Sequence, residues 1–182
     1  MSEPLPTTAM MADNTIKNHI IASMSLSLIP VPLVDVSALT ATQLSLLQKL
    51  CLYYDIPFED GDLKPLLTAL ISGATPVLGI VGISSLIKTI PGIGTLAGTA
   101  SLSVISGTIT YAVGQTFMLH FAAGGTLEDL DMQQAKAFFK HELKNGRQFV
   151  QSLKDEIKAA KEAAAEAESS SSTDDKTDSP AR

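Results

Sequence analysis

Apolar positions recur at intervals of three to four residues along most of this chain, which is the spacing of one face of an α-helix. The first run covers residues 16–28 and ends before Pro30 and Pro32, because proline lacks the backbone donor that a helix needs. The second run covers about residues 37–54. We therefore predict two amphipathic helices joined at the prolines, a helical hairpin.

Each of these helices has a candidate N-terminal cap. Asp13 or Asn14 precedes the first helix, and Asp35 or Ser37 precedes the second. Asp, Asn and Ser are the residues preferred at such positions. For Asp35 the alternatives are a paired carboxylate or an exposed one. Whether residues 16–34 cross a bilayer or lie on its surface stays open.

The pattern then changes to a long apolar stretch. Residues 65–127 contain one formal charge, Lys88, and one histidine, His120, together with 10 of the 12 glycines. A turn composition, Lys88-Thr-Ile-Pro91-Gly92-Ile-Gly94, divides the stretch. A bilayer core about 30 Å thick needs roughly 20 helical residues. We predict helices over about 62–88 and 95–121 that form a transmembrane hairpin with two spans.

Small residues recur every four positions in the second of these helices, as Gly94 to Gly98, Ser103 to Gly107 and Thr110 to Gly114. In lipid, such faces let helix backbones approach closely, and hydroxyl groups can bond across the contact. This pattern predicts packing within or between protomers, and thus a homo-oligomer. The predicted helix-packing residues are Gly94, Gly98, Ser101, Gly107 and Gly114.

Beyond Gly125 the chain becomes amphipathic, with Thr126 as a candidate cap. Basic residues collect here, at Lys136, Lys140, Lys144 and Arg147. Positive charge marks the cytoplasmic side of a membrane protein, so both termini are predicted to be cytoplasmic and this stretch to contact anionic headgroups. His120 either titrates at the interface or simply reaches the headgroups.

The predicted organisation has four parts. These are a disordered lead (1–12), a helical membrane domain (13–125), a cytoplasmic helix (126–168) and a disordered acidic, Ser-rich tail (169–182). The fold class is all-α: a helical hairpin, a two-span Gly/Ser/Thr-rich transmembrane hairpin and a long amphipathic C-terminal helix.

Composition excludes several functions. The net charge of −6 and pI of about 4.9 argue against nonspecific binding of nucleic acid. Cys51 has no second thiol, and no histidine lies at metal-ligand spacing from another ligand. The segment from Gly82 to Thr89 resembles a phosphate loop, but Ile87 replaces the second glycine. We predict no catalytic residue, metal or cofactor.

Four short motifs carry a family resemblance: Pro30-Val-Pro32-Leu-Val-Asp35, Leu52-Tyr-Tyr-Asp55, Lys88-Thr-Ile-Pro91-Gly92-Ile-Gly94 and Thr110-Tyr-Ala-Val-Gly114. In order and spacing, residues 16–125 resemble the domain of unknown function in YcjF-like bacterial inner-membrane proteins, which also follows the G domain of some Era-like GTPases. The resemblance implies a helical membrane module that works beside a GTPase. It supplies no catalytic residues, and this chain has no G domain, so a separate polypeptide would bring the GTP.

The leading hypothesis is a small protein of the bacterial inner membrane without catalytic activity, an assembly or adaptor module whose partners are the lipid bilayer and a separate GTPase. One alternative is a pore or transporter component lined by the hydroxyl groups of residues 95–121. The other is a soluble helical bundle that inserts conditionally, favoured by the many Ser and Thr residues and by Pro76.

Overall fold

The computed structural model describes residues 7–27, 32–59, 61–72 and 95–171, without the side chains of 32–36, 95–101 and 167–171. This part of the chain is entirely helical and contains no strand, which confirms the all-α prediction. The helices are α1 (Thr8–Leu26), α2 (Pro32–Tyr53), α3 (Leu63–Ser72), α4 (Thr95–Ala122) and α5 (Met132–Ser171). The chain forms two compact units, Met1–Val150 and Gln151–Arg182, and α5 contributes to both.

Helix α1 begins five residues before the predicted start. Thr7 is its N-cap, and the Thr7 hydroxyl accepts a hydrogen bond from the Met10 amide at 3.4 Å. Residues 8–12 are therefore helical, and their assignment to a disordered lead was wrong. The helix extends this far because no breaker follows Pro6 and because Ala12 is fully buried.

Helix α2 also begins early, at Pro32. Proline suits the first turn of a helix, since its missing N–H has no partner there and its φ angle is already helical. Asp35 and Ser37 therefore lie inside α2, so the prediction that one of them caps it was wrong. Pro30 lies outside the described residues.

The helices of the first unit pack largely antiparallel. Ser23 of α1 bonds to Thr110 of α4, and Ser27, the C-cap of α1, bonds to Ser106 of α4. The two helices therefore run in opposite directions. The end of α2 returns to α1, where the Tyr53 hydroxyl lies 3.1 Å from the Thr15 hydroxyl. The fully buried side chains of this core include Ile16, Ile20, Leu46, Leu47, Leu50, Val113, Phe117, Phe139, Leu143 and Val150.

Helix α4 confirms the predicted helix over 95–121, but its surroundings differ from those of a simple membrane span. Its segment Leu102–Ala122 is the one span-length apolar helix in the part of the chain that the structure describes, and 61% of that apolar window is buried inside the protein. Helix α3 ends at Ser72. The rest of the first predicted span lies outside the described residues, together with Lys88, Pro91, Gly92 and Gly94.

The connection from α4 to α5 places the start of α5 later than predicted. Gly124 adopts a positive φ of 87° just after α4, a conformation that favours glycine. Asp131 then caps α5, because its Oδ1 accepts hydrogen bonds from the Gln133 and Gln134 amides at 2.8 and 3.2 Å. The prediction of Thr126 as the cap was wrong, since residues 126–131 form a loop.

Candidate functional site: the contact between α1 and α4

A row of hydroxyl groups joins α1 to α4. The hydroxyl oxygens of Ser23 and Thr110 lie 2.7 Å apart, and the Ser27 hydroxyl donates to the Ser106 hydroxyl at 2.7 Å. The Ser106 hydroxyl in turn lies 3.1 Å from the Ser23 carbonyl oxygen. All four residues are buried. Because each hydroxyl has partners, this polar contact avoids the cost of burying unpaired polar groups.

Two glycines on α4 allow α1 to lie this close. A Cβ atom on Gly114 would lie 2.7 Å from Cγ1 of Ile16, and one on Gly107 would lie 2.8 Å from Cγ of Met24. Real side-chain carbons do not approach this closely, so both positions need glycine while the neighbouring side chains stay in place. Close backbones and paired hydroxyls together are typical of helix contacts in membrane proteins.

Helix α5 covers another side of α4. The ring of Tyr111 packs over Gly146, and the Tyr111 and Phe149 ring centroids are 5.3 Å apart. Gly107 faces both helices, since a Cβ atom there would lie 2.8 Å from Cγ1 of Val150 as well as from Met24. Thus α4 is enclosed by α1 and α5 at the same level of the bundle.

One ionisable side chain is buried beside this contact. His19 is 8% exposed, and its Nδ1–H donates to the Thr15 carbonyl at 2.7 Å. Burial lowers the pKa of His19, because the charged imidazolium loses its hydration; the Thr15 carbonyl raises this pKa and the positive charge of Lys49 lowers it further. His19 is therefore held neutral within the folded bundle near neutral pH.

A second polar cluster lies where α4 ends. The Nε2–H of His120 is shared between the Thr126 carbonyl at 2.8 Å and Asp129 Oδ1 at 3.0 Å. Asp129 Oδ1 also accepts from the Thr126 amide at 2.7 Å, and this backbone donor lowers the pKa of Asp129. The loop 126–131 is therefore tied to the last turn of α4, which places His120 in a protein contact.

The structure describes several of the predicted helix-packing residues and all four of the predicted basic residues. Gly107 and Gly114 lie in the α1 contact; Gly98 and Ser101 lie in α4, but their surroundings are not described. Lys144 and Arg147 are exposed on α5 and Lys136 and Lys140 are partly exposed. Spacings of four, four and three residues put these four cations on one face of the helix.

Sequence reasoning identified the glycines but missed their partner. Ser23 and Ser27 are four residues apart, and so are Ser106 and Thr110, which is a matching pair of hydroxyl spacings. This equal spacing of hydroxyl groups is the feature of the sequence from which packing of α1 against α4 could have been predicted. Among the described residues, no group of three or more His, Cys, Asp or Glu side chains is arranged to hold a metal ion.

Comparison with known proteins places this chain in a family. The family model described as "Domain of unknown function (DUF697)" matches residues 7–148, which covers α1 to the middle of α5. A relative, "Magnetosome membrane protein 22" of Magnetospirillum gryphiswaldense, is 36% identical over 157 residues, 86% of this chain and 78% of the relative. No solved structure matches. The resemblance to a domain-of-unknown-function family is thus confirmed, and the chain belongs to the DUF697 family.

Proposed function

We propose that this chain is a non-catalytic adaptor of the bacterial inner membrane, in which a water-exposed helical bundle is anchored through the apolar segment 73–101. The observation that carries the proposal is the contrast between this segment and α1. The segment contains one charge, Lys88, whereas the outer face of α1 exposes Asp13, Asn14, Lys17 and Asn18. The family and its membrane-protein relative support membrane attachment.

The depth of insertion follows from lengths. Helix α1 covers α4 from Ser106 onward, and a charged outer face such as that of α1 belongs in water. From the start of α4 at Thr95 to Ser106 there are 12 residues, or roughly 18 Å of helix, whereas the bilayer core is about 30 Å thick. This length supports a hairpin that enters the membrane and returns, in place of the two complete spans predicted from apolar composition.

The basic face of α5 supports a cytoplasmic orientation of both termini, because positive loops are retained on that side. A hairpin that returns to the side from which it entered preserves this arrangement. A GTPase partner is proposed on the family resemblance alone. Self-association is proposed through Gly94, Gly98 and Ser101, since Gly114 faces α1 and Gly107 faces both α1 and α5 of the same chain.

Membrane extraction tests the anchor. We expect the chain to stay in the membrane pellet after alkaline carbonate treatment. Val81→Asp should release it, because it adds a second charge to a segment whose one native charge is Lys88, and each charge within a bilayer costs up to about 3 kcal/mol. Ala22→Asp is the matched control, since Ala22 is exposed on α1 and should leave the protein in the pellet. Equal behaviour of the two variants would contradict the proposal.

Cysteine labelling tests the depth. In a Cys51→Ser background, Thr89→Cys should resist an impermeant maleimide added from the periplasmic side if the hairpin returns within the bilayer. Labelling from that side would restore the two-span arrangement. Thr7→Cys, on the exposed cap of α1, reports which face of the membrane the bundle occupies.

The burial of α4 favours one alternative, a soluble helical bundle that inserts conditionally. The 61% burial of the apolar window in α4 is compatible with a soluble bundle that inserts only under some condition. Recovery of the whole chain as a monodisperse particle without detergent would favour that alternative. The pore alternative loses its support in the described part of α4, where Ser106 and Thr110 bond to α1, and where Thr108 and Thr116 donate to carbonyls of α4 itself.

A further inference from the structure

We propose that the groove where α4 ends and α5 begins binds a basic, apolar segment of a partner protein, which inserts a Lys or Arg side chain. We name it the His120 groove; it is lined by the end of α4, by the loop 126–131 and by the first turns of α5. The inference rests on the proposed adaptor role for the existence of a partner. It adds the chemistry of that partner and the place where it docks.

The groove has the size and floor of a binding site. Its volume is about 450 Å³, within the range of ligand pockets. The apolar part of its lining is formed by Leu119, Ala123, Leu130, Ala135 and Phe138. Leu119 is 52% exposed. A leucine left this open beside a concave surface provides apolar area for a partner to cover.

The rim of the groove is acidic. Asp129 and Asp131 both line it, and its lining contains no Lys or Arg. Backbone hydrogen bonds lower the pKa of each carboxyl group, from the Thr126 amide for Asp129 and from the Gln134 and Gln133 amides for Asp131, so both are ionised at neutral pH. The C-terminal carbonyls of α4 add partial negative charge, and the Asp131 carboxylate offsets the positive N-terminal end of α5 that it caps. An apolar floor with a negative rim fits a cationic side chain with a long aliphatic stem.

The position of the groove favours a partner in water over a lipid. In α4 the groove residues are Thr116, Leu119 and His120, in the last two turns, whereas the apolar segment 73–101 reaches the opposite end of this helix. The groove residues of α5 likewise belong to its first turns. The groove therefore lies at the end of the bundle remote from the proposed anchor, where a cytoplasmic protein has access.

Peptide titration tests the proposal on the full chain in nanodiscs of zwitterionic phosphatidylcholine, which give the peptide no anionic lipid to bind. The probe is a short amphipathic peptide of Leu, Ala and Arg, and the comparison peptide has Glu in place of Arg. We expect the Arg peptide to bind and to shift the methyl resonances of Leu119, Ala123 and Ala135. The Glu peptide should bind at least about tenfold more weakly.

Three variants sharpen the result. Leu119→Lys should weaken binding of the Arg peptide about tenfold or more, because it places a positive charge in the groove. Leu52→Lys is the matched control: Leu52 is 67% exposed on α2, and binding should not change. Asp131→Asn keeps a capping side chain but removes the charge, so binding should weaken while α5 stays helical.

The outcomes separate cleanly. Equal binding of both peptides, or equal effects of Leu119→Lys and Leu52→Lys, would overturn the proposal. Self-association that Leu119→Lys abolishes would assign the groove to a second copy and overturn the choice of partner. Retention in the carbonate pellet is read independently, so failure of the groove does not imply failure of the membrane anchor.

Discussion

Ile16 lies against Gly114 so closely that a single added carbon on the glycine would come within 2.7 Å of the isoleucine Cγ1 atom. This contact fixes the distance between α1 and α4 at the point where Ile16 is almost fully buried. The two residues are 98 positions apart in the chain, so the contact joins α1 to the apolar helix whose first turns belong to the proposed anchor.

Gly114→Leu should lower the free energy of unfolding by about 3 kcal/mol, because overpacking forces α1 away from α4. Urea denaturation in mild detergent, followed by circular dichroism, measures the change. Gly61→Ala is the control, since no atom lies within 4 Å of a Cβ atom there, and it should be close to neutral. Ile16→Ala added to Gly114→Leu should recover part of the loss; no recovery would argue against the direct contact.

Thr110→Val should destabilise the bundle by about 1 to 2 kcal/mol, because the buried Ser23 hydroxyl loses a partner on α4. Thr108→Val is the matched control. The Thr108 hydroxyl is also buried but donates to the Val104 carbonyl of its own helix, so its removal should cost less. A double-mutant cycle of Ser23→Ala and Thr110→Val measures the coupling between the helices, and a coupling of zero would contradict the contact.

His19 should make the bundle less stable as the pH falls from 7.5 to 5. The unfolded chain protonates near the ordinary histidine pKa of 6.5, whereas burial keeps the folded pKa lower. Below pH 6.5 the unfolded state therefore binds more protons, and stability is lost as the pH falls toward the folded pKa. Backbone hydrogen bonds lower the pKa of Asp129 and of Asp131 from the ordinary value of 3.8, so neither residue contributes to the change in stability between pH 7.5 and 5.

Chemical denaturation at several pH values checks the prediction for His19. His19→Asn keeps a donor near the Thr15 carbonyl and removes the titrating ring, so it should flatten the dependence on pH. His141→Gln is the control, because the His141 side chain is 67% exposed. If both variants reduce the slope equally, burial of His19 is not its source.

Cys51 should react with maleimide at neutral pH only when the bundle opens. It is fully buried, and burial raises the pKa of its thiol to about 11, so little of the reactive thiolate is present. Leu52→Cys in a Cys51→Ser background places a thiol at the neighbouring, 67% exposed position, where labelling should be fast. Rapid labelling of native Cys51 would show that α2 leaves the core readily.

Local composition predicted the bounds of α4 well, because a long uncharged stretch of helix-forming residues followed by two glycines fits one long helix better than any other structure. Helix starts were harder. Pro32 opens α2, whereas the sequence interpretation gave this proline only the role of ending the helix before it. At the start of α5 the sequence offers both Thr126 and Asp131 as caps, and in the structure Asp131 accepts the amides of the first turn while the Thr126 backbone bonds to His120 and Asp129.

The partner of the small-residue face could not be deduced from α4 alone. Gly107 and Gly114 predict close approach by some helix, and lipid-based reasoning favoured the neighbouring apolar helix or a second copy. Helix α1 was interpreted from Ile16, Ile20 and Met24 as an amphipathic helix, so Ser23 on its buried side carried no weight. The charged residues of α1 could not be interpreted from the sequence either. They identify the face of α1 that is exposed to water only when α1 is seen packed against α4.

The spacing of glycines on α4 has a consequence for the register of α1. One of the two hydroxyl pairs could still form if α1 slid by one turn, about 5.4 Å, because the hydroxyl groups are four residues apart on both helices. Ile16 would then face Thr110 or Met118 where it now faces a bare backbone, and the slide would be blocked. The glycines of α4, which have no side chain, therefore determine the register of α1 more than the hydroxyl bonds beside them do.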